Sequence, residues 1–284
     1  MANNLALIKK YIELLDEVYK SATLTADLES DASTVRQGSN ARTILIPKMS
    51  MDGLGDYSRK DGYVSGDVDL EWVEKTFNYD RGRRFSVDAM DNASEFIRTK
   101  VVPEMDAWRF ASYAKAAGTN KSEDLADGSA VCAAITAANI AMDEAEVPQE
   151  SRLLYITPTM YNAIQALDTY KSKAMLAGFA KTIRVPQSRF YSAIDLLSGV
   201  DKTGSSGADE SAGGYKAATT GKKLNFLIVQ KNSPIQFTKH TVNKVITPEQ
   251  NQHSDAWLYF YRAYGITEVY DNKKFGIYAS VSKT

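Results

Sequence analysis

The sequence predicts an α+β protein, and three observations carry that prediction. Apolar residues recur at three- and four-residue steps in separate stretches, apolar and polar residues alternate with a period of two between them, and a helix, a strand and a helix follow one another closely near mid-chain.

Leu5, Ile8, Ile12, Leu15 and Tyr19 give residues 4–20 one apolar helical face, with Asn3 or Asn4 as N-cap. Residues 21–42 are rich in Ser, Thr, Asp and Asn, which predicts an extended arm ordered by whatever it lies against. A short strand is expected over Arg42–Met49. Gly53, Gly55, Gly62 and Gly66 punctuate the polar stretch that follows, and Val68, Leu70 and Trp72 then alternate with Asp69 and Glu71. That strand is expected to run through Phe77 and Tyr79 towards Arg81 and to return through Arg83, Phe85 and Val87. Such a ribbon has no core of its own and is marginal alone, so it must rest on other chains or on a distant part of its own.

The longest helical pattern spans residues 92–117: Asn92 and Glu95 suit a capping box, Ile97, Val101, Met105 and Trp108 form a stripe, and Gly118 supplies the stop. Pro103 removes a backbone donor inside it, which predicts a kink or break near Lys100. Ser129–Glu146 reads as an alanine-rich helix and Leu153–Ile156 as a buried strand; Thr157 and Pro158 open a helix to about Leu167 as N-cap and first-turn proline. Thr182–Tyr191 and Leu224–Gln230 read as strands, and the Gly-, Ser-, Ala- and Lys-rich stretch between them, 199–223, as a mobile surface loop. The C-terminal fifth predicts a long hairpin: Trp257, Tyr259 and Tyr261 alternate with Leu258, Phe260 and Arg262, and Val269 leads through Asp271 and Asn272 into Phe275, Ile277 and Ala279. Trp257 and Phe260 are expected to be buried.

A chain of 284 residues with 44% hydrophobic and 24% charged residues has room for about two domains and does not have a disordered composition. Its 34 basic and 35 acidic residues nearly cancel, which excludes a global field for nucleic acid or an anionic membrane; any DNA contact must be local or weak. Cys132 is the only cysteine, so an intramolecular disulfide is excluded, and its alanine-rich surroundings predict a buried, inert thiol. The N-terminus intersperses charges among its apolar residues and does not read as a signal peptide, and no apolar run approaches the roughly 18–20 residues that span a bilayer, so no membrane partner is expected.

No catalytic, metal or cofactor residues are assigned. His240 and His253 have no nearby Cys or His at ligand spacing. Residues 214–223, GYKAATTGKK, place six residues between glycines where a phosphate loop has four, with no Ser or Thr after the lysine. Asp67, Asp69, Glu71 and Glu74 sit on a ribbon, which offers no concave site; most are expected on one solvated face. Arg81, Arg83 and Arg84, near that acidic stretch, either form a solvated basic turn or pair with acidic groups across a symmetric contact between copies.

This order of elements, with FIRTKVVPEMDAWRFASYA at 96–114, LLYITPTMYNAI at 153–164, RVPQSRFY at 184–191 and DAWLYFYRAYGITEVYDNKKFGIYASV at 255–281, resembles the major capsid proteins of tailed bacteriophages, which have the HK97-type fold. The resemblance covers nearly the whole chain. It implies an N-terminal arm at 1–45, an extended loop at 46–87 that reaches over a neighbouring subunit, a peripheral domain with a long spine helix at 88–125 and 241–284, and an axial domain at 126–240. It implies a non-enzymatic subunit that joins copies of itself in pentamers and hexamers and closes into the icosahedral head shell around the packaged genome. A virion location, assembly in the host bacterial cytoplasm, a portal and weak non-specific contact with packaged double-stranded DNA go with that reading. No scaffolding domain precedes the arm, so a separate scaffold protein or a cleaved precursor is expected. Lys60, Trp72, Arg81, Arg83 and Arg84 are the residues expected at the intersubunit interface. Some family members crosslink a loop lysine to an asparagine with a glutamate assisting; Lys60 is suitably placed, but no partner can be assigned. The nearest alternative is the shell of a bacterial nanocompartment; from another class, a cytoplasmic hydrolase with scattered catalytic residues.

Overall fold

A computed structural model describes residues 19, 22–31, 33, 35–40, 42–53, 59–60, 65–87, 91–203, 207–252 and 257–283. Apart from Tyr19, the helix expected over residues 4–20 lies outside the described residues, as do the tip residues Gly55 and Gly62, His253, and the side chains of Phe85, Val87, Asn92 and His240.

A 3-10 turn at Ala26–Leu28 leads to β1 (Arg36–Gln37), β2 (Thr43–Met51), β3 (Val68–Thr76) and β4 (Tyr79–Val87). Helix α1 (Asp91–Phe96) passes through a π-turn at Ile97–Val101 into α2 (Val102–Ala116). There follow β5 (Thr119–Ser122), α3 (Gly128–Glu144), β6 (Arg152–Ile156), α4 (Pro158–Ala166), α5 (Tyr170–Ala177) and β7 (Lys181–Arg184). The remaining strands are β8 (Ile194–Leu196), β9 (Tyr215–Ala217), β10 (Leu224–Gln230), β11 (Pro234–Ile246), β12 (Trp257–Val269) and β13 (Ile277–Val281). They form a ribbon sheet β1-β2-β3, a long-stranded sheet β11-β12-β4, a central sheet β5-β13-β10-β6-β7 and the small pair β8-β9.

In the central sheet every residue of β6, β10 and β13 is buried, which explains their near-continuous apolar runs. Successive side chains go to opposite faces. Leu154, Ile156, Phe226, Ile228 and Tyr278 meet Val131, Ile135, Ala138 and Met142 of α3, while Leu153, Tyr155, Leu227, Val229 and Ala279 meet Phe110, Tyr113 and Ala114 of α2. The N-terminal part of the long helix, Ile97, Val101, Val102 and Met105, packs on Tyr79, Tyr259, Tyr261 and Ala263 of the β4–β12 sheet. One helix thus joins two sheets.

The interruption expected near Lys100 is the π-turn, which directly precedes Pro103. Proline cannot donate to the carbonyl one turn earlier, and the wider turn accommodates that loss while Phe96, Val101 and Val102 keep helical dihedrals. Gly118 ends the helix where the chain passes close to another segment: its N–H donates to the Lys274 carbonyl at 2.8 Å, and a Cβ there would lie 2.6 Å from Phe275 N. Thr157 caps α4 through the Met160 N–H, and Asp127 caps α3 through Ala130 N–H.

Three expectations are corrected. β12 and β13 do not form a hairpin: β12 pairs with β11 and β4, β13 pairs with β10 and β5, and a 3-10 segment at Asp271–Gly276 carries the chain between sheets. β3 is not continuous with Tyr79, and the return strand 79–87 pairs with β12 instead of running back along the ribbon. Asn78 makes the switch, donating to the Thr267 carbonyl at 2.9 Å and accepting from Thr267 N–H at 3.1 Å. Trp257 and Phe260 are half-buried; the buried aromatics of β12 are Tyr259 and, with a small exposed part, Tyr261. Tyr259→Ala is therefore expected to destabilise the isolated subunit by about 3–5 kcal/mol, and Phe260→Ala by only about 1 kcal/mol. Denaturant titration of the two variants checks this; a larger loss for Phe260→Ala than for Tyr259→Ala would mean the β12 faces are reversed.

Candidate assembly surfaces

The described part of the ribbon is anchored at its root. Ile44 and Ile46 are buried against Ile235 and Ile266, so the root of β2 belongs to a small core with β11 and β12. Ahead of the root, Arg42 donates to Asp80 at 3.0 Å, and Arg262 clamps the same carboxylate with contacts of 2.8 and 2.7 Å. Hydrogen bonding from Arg262, followed by the two positive charges, holds the Asp80 carboxyl below the usual carboxylate range.

Beyond the root, register sorts the side chains. Pro47 faces Trp72, Met49 faces Leu70 and Met51 faces Val68, so these residues share one face, while Lys48 opposite Glu71 and Ser50 opposite Asp69 share the other. The apolar face is open in this chain: Met49 is 53% exposed, Met51 66%, Val68 64% and Leu70 59%. Four neighbouring large apolar side chains on a two-faced projection are what an uncovered contact surface looks like. Trp72 lies at its inner end under the Arg36 guanidinium, 4.2 Å from the ring centre. Lys60 is exposed in the distal turn. Asp69 and Glu71 do share a solvated face, but Glu74 falls on the apolar side, where it accepts from Ser39 N–H at 2.8 Å and Ser39 hydroxyl at 2.5 Å. Those bonds lower its pKa to about 2.

The three arginines lie on β4, away from the ribbon. Arg81 donates to Glu104 of α2 at 2.8 Å and to the Leu197 and Gly214 carbonyls at 2.7 and 3.3 Å. Arg83 donates to the carbonyls of Ala212 and Ser211, both at 3.0 Å, and Arg84 is exposed. Arg81 and Arg83 thereby tie the 197–214 segment to β4. That segment is more structured than a mobile loop: β8 and β9 pair with each other at its two ends, and an isolated β-bridge joins Asp201 to Asp209 within it. Together β4, the π-turn and this segment border a cleft of 590 Å³.

A third surface is internal. Asp106 on α2, fully buried, accepts from Thr23 hydroxyl at 2.6 Å, Thr25 hydroxyl at 3.0 Å and Leu24 N–H at 3.1 Å, with Arg189 at 3.4 Å. One turn on, Arg109 donates to Thr25 at 2.8 Å and Thr238 at 3.1 Å. Gln236 accepts from the Tyr113 hydroxyl at 2.6 Å and donates to the Thr25 carbonyl at 3.0 Å. Part of the polar arm is therefore fixed to its own long helix. Burial raises the Tyr19 phenol to about 12 and pushes the Tyr113 phenol up as well. Sequence reasoning missed this site; the available signal was Asp106 and Arg109, one turn apart beside the apolar stripe of a helix.

Cys132 is half-buried, and desolvation raises its thiol pKa, which keeps it weakly nucleophilic. Among the described residues no group of three or more His, Cys, Asp and Glu could hold a metal ion, and no helix is long and apolar enough to cross a membrane.

An end-anchored ribbon, a long helix bridging two sheets and a helix-flanked central sheet define the HK97-type capsid fold expected from the sequence. Solved structures share it. The chain is similar over 92% of its length to 91% of a chain from Mycobacterium phage Che8, with a TM-score of 0.60 and 12% identity. The capsid structure of Cyanophage P-SCSP1u matches 93% of this chain over 89% of its own, with a TM-score of 0.57 and 13% identity. A virus-like particle from Pyrococcus furiosus matches 97% over 98%, with a TM-score of 0.56 and 10% identity. No protein-family model matches the sequence, and comparison with curated proteins finds no match. At these identities the likeness establishes the fold.

Proposed function

We propose that this protein is the structural, non-enzymatic subunit of a tailed-phage head, self-assembling through pentamers and hexamers into an icosahedral shell around the packaged genome. The observation that carries the reading is the ribbon: its root is packed in the subunit core, while Met49, Met51, Val68 and Leu70 form an exposed apolar face that no described residue of the same chain buries. Heterologous contacts repeated around a ring cover such a face in every copy. Fold likeness to the capsid of Cyanophage P-SCSP1u supports the same reading.

In this reading residues 1–45 are the arm, 46–87 the extended loop, 88–125 and 241–284 the peripheral domain and 126–240 the axial domain. Lys60 and Trp72 on the ribbon, and Arg84 beside Arg81 and Arg83 on β4, face neighbouring copies; Arg81 and Arg83 would do so while also bracing their own subunit. A scaffold protein, a portal and weakly held double-stranded DNA are the partners, and the virion, assembled in the host bacterial cytoplasm, is the location. Near-zero net charge suits a wall that encloses DNA without gripping it. Electron microscopy of the protein expressed alone and with its scaffold tests this: closed particles or capsomers are expected. A protein that stays monomeric at high concentration across salt conditions sinks it, and particles filled by a cargo protein would identify a nanocompartment shell instead.

A further inference from the structure

We propose that the cleft bordered by β4, the π-turn and the 198–214 segment receives the acidic strand Asp67–Trp72 of a second copy; this rests on the shell function proposed above.

The cleft is a built feature. It is lined by Tyr215, by small exposed parts of the largely buried Tyr79 and Tyr261, and by Arg83 and Lys100, both exposed, which form its rim. Arg81 is matched by Glu104 at 2.8 Å, which leaves Arg83 and Lys100 as the excess charge, and the lining is net positive. The wall is shaped around Arg83: Gly213 has φ +66, and a Cβ there would lie 2.5 Å from the Arg83 guanidinium. A side chain at that position would be strained at this φ, and the Arg83 guanidinium would have to move aside for it.

An occupant should therefore be extended, with apolar side chains for the tyrosines and carboxylates for the rim. The distal half of β3 has that chemistry. Val68, Leu70 and Trp72 alternate with Asp67, Asp69 and Glu71. Val68 and Leu70 are more than half exposed in their own chain. Within the described residues β3 pairs only with β2, so its outer edge offers backbone groups as well. Opposite charge on strand and rim sets register and speeds encounter more than it adds affinity.

The test uses assembled particles of a Cys132→Ala background carrying Leu70→Cys with Thr99→Cys, oxidised and run on a denaturing gel. Thr99 lines the cleft and is exposed. Covalent multimers are expected, far in excess of those from Leu70→Cys with Ile140→Cys, whose partner position is exposed elsewhere on α3. In a second arm, Lys100→Glu and Asp69→Lys each lower particle yield several-fold at low salt, and the double variant restores it. Intact particles without the Leu70–Thr99 crosslink overturn the cleft assignment and leave the shell function standing. If the parent protein never assembles, the shell function fails and this assignment falls with it.

Discussion

Val68→Asp combined with Leu70→Asp yields a folded subunit that does not assemble. Both side chains are more than half exposed in the single chain, and among the described residues their strand pairs only with β2, so the change in subunit stability should stay within about 0.5 kcal/mol, typical of surface substitutions. In the shell contact proposed above the same positions would be covered. Each new carboxylate would then enter an apolar contact without a partner, at a cost of roughly several kcal/mol per site. Because every copy carries the defect, the losses accumulate around each ring. Circular dichroism and melting should match the parent, while light scattering and microscopy show no particles. Particles of parental heat resistance would mean that this face stays open in the shell, and the ribbon would lose its proposed role whatever the fold.

What could be read in the sequence follows from how local the determining interactions are. β6 and β10 were legible because both faces are buried, so the run LLYI or LNFLIV needs no knowledge of its partners. The α4 start was legible because Thr157 and Pro158 act within one turn, and the helix interruption because Pro103 removes a specific bond. Strand partnership was not legible. Asp271 and Asn272 are good turn residues, but the turn they make is a 3-10 crossing between sheets, and the true partner of β12 is β11, whose alternation is diluted by Gln236, Thr238 and Lys244. Nor could spacing show that the strand from Val68 stops at Thr76, since the break depends on Asn78 meeting Thr267 from far along the chain. The residues expected at the interface divide in the same way. Trp72 and Lys60 are on the ribbon as expected, whereas the arginine cluster was assigned there by proximity in sequence and lies on β4.

Replacing Asp106 with alanine should bring the largest loss of subunit stability of any single polar change, about 3–5 kcal/mol, as expected when one member of a buried charged network is removed. The carboxylate is fully buried, and three donors from Thr23, Leu24 and Thr25 converge on it. Without it those donors lose their acceptor, and Arg109, only 2% exposed, keeps the Thr25, Thr238 and Tyr19 hydroxyls and the charge of Glu29 but loses the buried carboxylate one turn away. Asp106→Asn keeps the shape and one acceptor oxygen, so it should lose less; Thr23→Ala removes a single donor and should cost about 1 kcal/mol. The order Ala, Asn, then Thr23→Ala in decreasing effect distinguishes a network from a lone contact. Because residues 22–30 are the part of the arm that Asp106 holds, limited proteolysis should cut Asp106→Ala between residues 22 and 42 under conditions that leave the parent intact there. A variant that melts with the parent and resists cleavage would show that the arm is held by its other contacts, such as Ser30 with Gln236, and that the buried carboxylate is dispensable.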